Sequence, residues 1–243
     1  MGTMADAAPM LIVFGRWPVA ERVKTRLAAS IGAPAALAVY RSMLLTTLAS
    51  GRACSHARRR CLDVDGTGAD PALLASIRAG AWELRLQAEG DLGARMKASL
   101  ASSEVGVPSV LVGTDGAFLD TRYLDAAFEA LARHDAVIGP TEDGGYLLLG
   151  ARRPLPDAVF AQRWSTSQVC AATCAAIEQA GLSLARLSPV LDIDEIGDLV
   201  RAPALVAIAT AAGMASRSET GSAPGTCLKP DSSSGGDRSR RVR

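Results

Sequence analysis

A chain of 243 residues suits one well-buried α/β domain and is short for two. Its 26 basic and 25 acidic side chains leave a net charge of +1, which removes any general attraction to nucleic acid or acidic membranes, so an anion site must be local. Aromatics at 4% weigh against base-stacking platforms, while a 49% apolar fraction asks for an Ala, Leu, Val and Ile core of helices on a parallel sheet. Cys54, Cys61, Cys170, Cys174 and Cys227 are odd in number and hold no C-x-x-C pair, against a disulfide framework or structural zinc. Residues 1–9 lack a leader pattern and no apolar run reaches about 18 residues, so a cytoplasmic protein with no membrane or nucleic-acid partner is expected.

In chain order, Met10 to Phe14 is a short apolar run ended by Gly15 and predicts a buried strand. A loop with Arg16, Pro18, Arg22, Lys24 and Arg26 follows, then a helix over about Pro34 to Ser50 with apolar positions at helical spacing. Arg60–Val64 and Trp82–Leu86 predict strands around a short helix at Pro71–Ile77. Asp91–Leu100 predicts a helix with Asp91 at its start, and Pro108–Val112 a buried strand opening onto Gly113, Thr114 and Asp115. Beyond these come a helix at Tyr123–Ala132, strands at Asp135–Gly139 and Gly145–Leu149, a helix at Ser167–Ala180, an extended stretch at Leu187–Asp194 and a helix at Glu195–Ala212. The alternation predicts one Rossmann-like three-layer α/β domain over residues 9–213, with a mostly parallel sheet and ligands at the carboxyl ends of its strands. Residues 214–243 are rich in Ser, Gly and Arg and are expected to be a disordered tail.

Four segments carry chemistry. Phe14 to Leu27 packs Arg16, Arg22, Lys24 and Arg26 into a loop after the first strand, where backbone N–H groups and cations suit a diphosphate or triphosphate. A solvated basic loop fits the charge pattern equally, and neither P-loop nor dinucleotide spacing is present. Asp115 ends an apolar strand, where a carboxylate suits a hard cation, since magnesium needs only one or two protein carboxylates. Helix capping by Asp115 or Asp120 is the alternative. In Gly139 to Tyr146, Asp143 precedes two glycines that permit either close ligand approach or a tight turn. In Leu191 to Glu195, extended backbone would put Asp192 and Asp194 on one face to share a cation, with N-capping by Asp194 as the competing role. His56 and His134 read as surface residues, and Cys170 and Cys174 as small buried thiols on one helical face.

Taken in order, Pro18-Val19 through Lys24 to Leu27, Gln87 with Gly90 to Met96, Val112 to Asp115, Gly139-Pro140, Asp143 to Tyr146, Trp164 to Thr166, and Asp192 to Asp194 with Asp198-Leu199 make a specific combination. Over residues 10 to 205 the chain resembles the bacterial glycosyltransferase-A-type family labelled arsenosugar-biosynthesis-associated glycosyltransferase. That family is related to the molybdenum-cofactor and phospholactate guanylyltransferases, and the resemblance implies the nucleotide-diphospho-sugar transferase fold. It further implies Asp115 as the metal-binding acid, Lys24 and Arg26 facing phosphates, and the 90–96 segment bordering the nucleotide. Candidate catalytic residues are accordingly Asp115, Lys24 and Asp143, with Gly15, Arg16, Lys24, Arg26, Gln87, Gly90 and Arg95 toward the nucleotide. Asp115, Asp192 and Asp194 are the candidate ligands of Mg2+ or Mn2+. Two departures stand out: Glu21 replaces the family's usual Gly in the basic loop, and Gly116-Ala117 replaces a small residue and Pro after the acid, which should leave that loop less rigid.

Three functions follow from this reading. Glycosyl transfer from a nucleotide sugar to a small-molecule acceptor is slightly favoured over nucleotidyl transfer from a triphosphate to a phosphorylated acceptor with release of pyrophosphate. A nucleotide-binding protein without turnover is the third.

Overall fold

The computed structural model describes residues 8–101, 106–117 and 119–220. Seven strands form one sheet: β1 (Met10–Gly15), β2 (Arg59–Val64), β3 (Glu83–Leu86), β4 (Ser109–Gly113), β5 (Ala136–Pro140), β6 (Tyr146–Ala151) and β7 (Leu184–Arg186). Their spatial order is β3-β2-β1-β4-β6-β5-β7, and only β6 runs antiparallel to its neighbours. The central strands read as continuous apolar runs because both faces are covered.

Side-chain alternation along β1 sorts the layers. Leu11 and Val13 join the cluster that includes Leu27, Val39, Leu44, Leu73, Leu124 and Leu205, so one face is covered by α1 (Thr25–Ile31), α2 (Ala33–Ala53), α3 (Pro71–Ala79), α5 (Thr121–Leu131), α8 (Ile196–Leu199) and α9 (Pro203–Thr220). Met10 and Ile12 join Met96, Val159, Phe160 and Ile177 on the other face, under α4 (Leu92–Ala101), α6 (Asp157–Phe160) and α7 (Val169–Gln179). This is the expected three-layer α/β arrangement with a mostly parallel sheet. No helix among the described residues is long and apolar enough to cross a membrane.

Local chemistry explains the helix starts. Asp70 and Asp120 accept hydrogen bonds from the backbone N–H groups of Leu73 and Tyr123, capping α3 and α5, and Asp91 does the same for Ala94 at the head of α4. Capping at α5 therefore falls to Asp120, which leaves Asp115 free of that role.

Four expectations are corrected. Residues 25–31, read as loop, form α1, a helix too short for apolar periodicity to reveal. The extended stretch 187–194 makes only single bridges, Thr141 with Val190 and Gly116 with Asp192, while the ladder strand lies earlier at Leu184–Arg186. The helix expected over 195–212 is divided into α8 and α9 at Pro203, which has no N–H to continue a helical ladder. The last helix also runs to Thr220, seven residues into the segment read as tail; Cys227 and residues 221–243 lie outside the described residues.

A candidate donor and cation site at the carboxyl edge of the sheet

Gly15, at the end of β1, begins the site. A Cβ there would lie 2.8 Å from Thr114 Cγ2 and 3.0 Å from the Tyr40 hydroxyl, so any other residue would have to displace one of them. Tyr40, buried on α2, holds the next residue from both sides. Its hydroxyl donates to the Arg16 carbonyl at 2.9 Å and accepts from the Arg16 N–H at 2.8 Å and the Thr114 hydroxyl at 3.1 Å. Burial pushes the Tyr40 phenol up to about 12, so it remains a neutral hydrogen-bonding hub. Gln87 ties in the neighbouring strands by donating its side-chain amide to the carbonyls of Gly15 at 2.7 Å and Asp63 at 3.1 Å. Asp65 accepts from the Trp17 N–H at 2.9 Å and pairs with Arg22 at 3.4 Å.

The loop then makes a strained return. Glu21 has φ +65°, the left-handed conformation that a glycine would adopt freely and that costs other residues roughly 1–2 kcal/mol. Lys24, with φ +48°, is the residue before α1. Its ammonium reaches Asp115 Oδ1 at 2.8 Å and Asp194 Oδ1 at 2.9 Å, and its side chain is 3% exposed, whereas those of Asp115 and Asp194 are 48% and 46% exposed. Burial alone would lower the Lys24 pKa, but the two carboxylates overcome it and the pKa is raised.

Backbone pairing brings the acids together. Gly116 bridges Asp192 in antiparallel sense, Ala117 donates to the Leu191 carbonyl at 3.0 Å and Ile193 donates to the Asp115 carbonyl at 3.0 Å. The Gly116-Ala117 loop, expected to be less rigid, is thus fastened along its length. Leu191 and Ile193 turn into the core while Asp192 and Asp194 remain partly accessible, which is the alternation expected of extended backbone. Glu195 and Asp198 form the capping box of α8, and Asp198 Oδ2 accepts from the Asp194 and Glu195 N–H groups. Capping therefore belongs to Glu195 and Asp198, and the Asp194 carboxylate is available for Lys24.

Asp143 closes an Asx turn, its Oδ1 accepting from the Thr141 hydroxyl at 2.6 Å and the Gly145 N–H at 2.9 Å. It also faces Asp192. Burial, then the charges of Asp143 and Asp194, push Asp192 up to about 6 against the opposing pull of Lys24. Arg201 grips Glu142 through two bonds of 2.6 and 3.0 Å, joining the 141–145 turn to the end of α8.

Other sequence candidates lie further from this centre. Arg26 projects from α1 with a 66% exposed side chain and a 3.8 Å approach to Glu195. Arg16 donates its guanidinium to the Arg22 carbonyl, and Arg95 donates to the Gly90 carbonyl at 2.8 Å, stabilising the turn where Gly90 has φ +113°. Sequence reasoning missed Tyr40, whose helical position looks like ordinary core, and the hub at Asp125. That carboxylate accepts from the Cys54 thiol, the Ser55 N–H and hydroxyl, and a His56 ring nitrogen, far along the chain from any motif.

The donor set suits a hard cation. Two carboxylate oxygens already converge on one positive charge, and phosphate and water oxygens can complete an octahedral shell. Among the described residues no group of three or more His, Cys, Asp or Glu side chains is arranged to hold a metal by itself, so such a cation needs ligand oxygens. Two concavities lie elsewhere: one of about 390 Å³ beside the turn at Thr141, with Cys170, Cys174 and Arg186 in its wall, and one of about 200 Å³ at the opposite edge of the sheet, with Lys97, Arg152 and Arg153.

Residues 49–166 match a family described as an uncharacterized protein conserved in bacteria (DUF2064). Among solved structures, the chain resembles a provisionally assigned nucleotide-diphospho-sugar transferase from Desulfovibrio desulfuricans G20, at 27% identity over 86% of this chain and 98% of that one, with a TM-score of 0.70. It also resembles the 4-diphosphocytidyl-2C-methyl-D-erythritol synthase of Anaerococcus prevotii DSM 20548, at 10% identity over 83% of this chain and 100% of that one, with a TM-score of 0.55. No curated protein matches in sequence. The chain has the fold of the nucleotide-diphospho-sugar transferases.

Proposed function

We propose that the protein is a metal-dependent transferase that uses a nucleotide-activated donor, with glycosyl transfer from a nucleotide sugar to a small molecule as its reaction. The observation that carries this reading is the Lys24 ammonium held by Asp115 and Asp194 beside the close-packed Gly15 and Arg16 backbone. Such a site matches the charges of a phosphate-bearing donor and its cation: Lys24 offers a positive charge, and Asp115, Asp194 and the neighbouring Asp192 the anionic ligands. Magnesium or manganese bound there would offset the charge developing on the leaving diphosphate. Asp143, held by its turn, keeps the far wall of the site acidic. The resemblance to the Desulfovibrio nucleotide-diphospho-sugar transferase supports transfer from a nucleotide sugar.

Nucleotidyl transfer from a triphosphate is the second reading. The cation-rich loop favours it, but Arg26 points to solvent and leaves Lys24 as the buried cation at the centre, which suits two phosphates better than three. Thermal shift with magnesium separates the two. A nucleoside diphosphate or nucleotide sugar is expected to raise Tm more than a triphosphate. A larger shift with triphosphate, together with pyrophosphate release in the presence of a phosphorylated acceptor, would reverse the assignment. Asp115→Asn, which preserves volume but removes an anionic ligand, is expected to abolish turnover with the fold intact and Tm lowered, because Lys24 loses one of its two carboxylate partners; magnesium-dependent turnover at the wild-type rate would remove Asp115 from the cation site.

A further inference from the structure

We propose that Lys24 is the resident counter-cation of the carboxylate pair Asp115 and Asp194, and that it bars free divalent metal from the site until phosphate oxygens draw its ammonium away. Metal is thereby admitted only together with a phosphate ligand. This inference rests on the reading of the cluster as a donor and cation site.

Geometry makes the two cations mutually exclusive. Both carboxylates direct Oδ1 at the same Nζ, at 2.8 and 2.9 Å. A magnesium ion bound by the same two oxygens would sit about 2.0–2.1 Å from each, against the ammonium itself, and the two positive charges would repel at contact distance. The exposure pattern defines the direction of exchange. The Lys24 side chain is 3% exposed and cannot satisfy its three donors with bulk water where it lies, while the half-exposed Asp115 and Asp194 can be approached from solvent.

A buried ammonium does not leave its partners without another anion to receive it, because an uncompensated charge in that place is costly. Phosphate oxygens of a donor arriving over the half-exposed Asp115 and Asp194 would supply one to a flexible four-carbon side chain. The Lys24 side chain is not needed for the helix that follows: it precedes α1 in left-handed conformation and makes no capping bond to it. Swinging the ammonium toward phosphate frees two carboxylates for the metal in the same step, so phosphate and metal should each raise the other's affinity.

The test is Mn2+ binding to the full chain, followed by electron paramagnetic resonance of the free ion, with and without inorganic pyrophosphate and corrected for Mn2+ held by pyrophosphate in solution. Wild type is expected to bind Mn2+ at least tenfold more weakly alone than with pyrophosphate. Lys24→Met, which keeps length and removes charge, is expected to bind Mn2+ alone at least tenfold more tightly than wild type and to lose most of the coupling. Lys24→Gln provides the same comparison should the methionine variant fail to fold, and the coupling in wild type needs no variant. Equal Mn2+ affinity in wild type and the Lys24 variants, with binding abolished by Asp115→Asn, would overturn the exclusion while leaving the cation site in place. Absence of Mn2+ binding to every protein, with or without pyrophosphate, would overturn both the exclusion and the donor-site reading.

Discussion

At the scale of single residues, the site carries more negative charge than it neutralises. Lys24 faces Asp115 and Asp194 directly, while Asp192 lies beyond with Asp143 as its nearest opponent. The Asp192 pKa, raised from 3.8 to about 6 by burial and like charges, means that ionising this group costs the folded state. For a carboxylate the sign is clear: the unfolded chain releases this proton first, so stability falls as pH rises from about 4 toward 6 and stays lower above that. Asp192→Asn removes the ionisation. It is expected to melt higher than wild type at pH 7.5, by on the order of 1 kcal/mol after allowance for solvent screening, and equally near pH 3.5. A lower melting temperature at pH 7.5 would mean that the Asp192 carboxylate makes a favourable interaction in the absence of metal. Period-two alternation made the pairing of Asp192 with Asp194 legible in sequence, whereas the partner that engages Asp194, Lys24, lies 170 residues away and no local pattern announces it.

At the scale of elements, close packing accounts for several glycines that a sequence pattern leaves ambiguous. Gly93 lies in α4 where a helical glycine would ordinarily be a liability. Here α4 meets the end of α6 so closely that a Cβ on Gly93 would overlap the Phe160 carbonyl oxygen and lie 2.9 Å from the Trp164 ring. Gly93→Ala is therefore expected to lose about 1–3 kcal/mol in chemical denaturation despite its better helix propensity. A stabilised variant would show that the two helices separate at little cost. The long and periodic elements were legible from sequence: β1, β2, β4 and α2 fall where apolar runs or helical spacing put them. The short ones were hidden for physical reasons. The helix α1 buries only Leu27 completely, α6 has four residues, and β7 has three, too few to display a period.

At the scale of the whole molecule, the sheet separates two chemically different ends. At the carboxyl edge of the parallel strands, the loop after β1, the segment after β4, the 141–145 turn and the 190–195 stretch meet around Lys24. At the other edge, the concavity with Lys97, Arg152 and Arg153 also offers positive charge, but those cations are already paired, Lys97 with Asp157 at 2.8 Å and Arg152 and Arg153 with Asp135 at 3.3 and 3.7 Å. Lys24 is paired as well, so existing ion pairs do not by themselves favour either end. Hydrogen exchange in the presence of a nucleoside diphosphate and magnesium can distinguish the ends, because each amide reports on its own segment. Protection is expected at residues 15–24, 113–117 and 190–195, with residues 106–109 and 151–155 exchanging as in the free protein. Protection confined to the second group would move the phosphate site to the Lys97, Arg152 and Arg153 concavity. Lys24 would then be a structural clamp between the loop after β1 and the 190–195 stretch, holding Asp115 and Asp194 in place without ever meeting a phosphate.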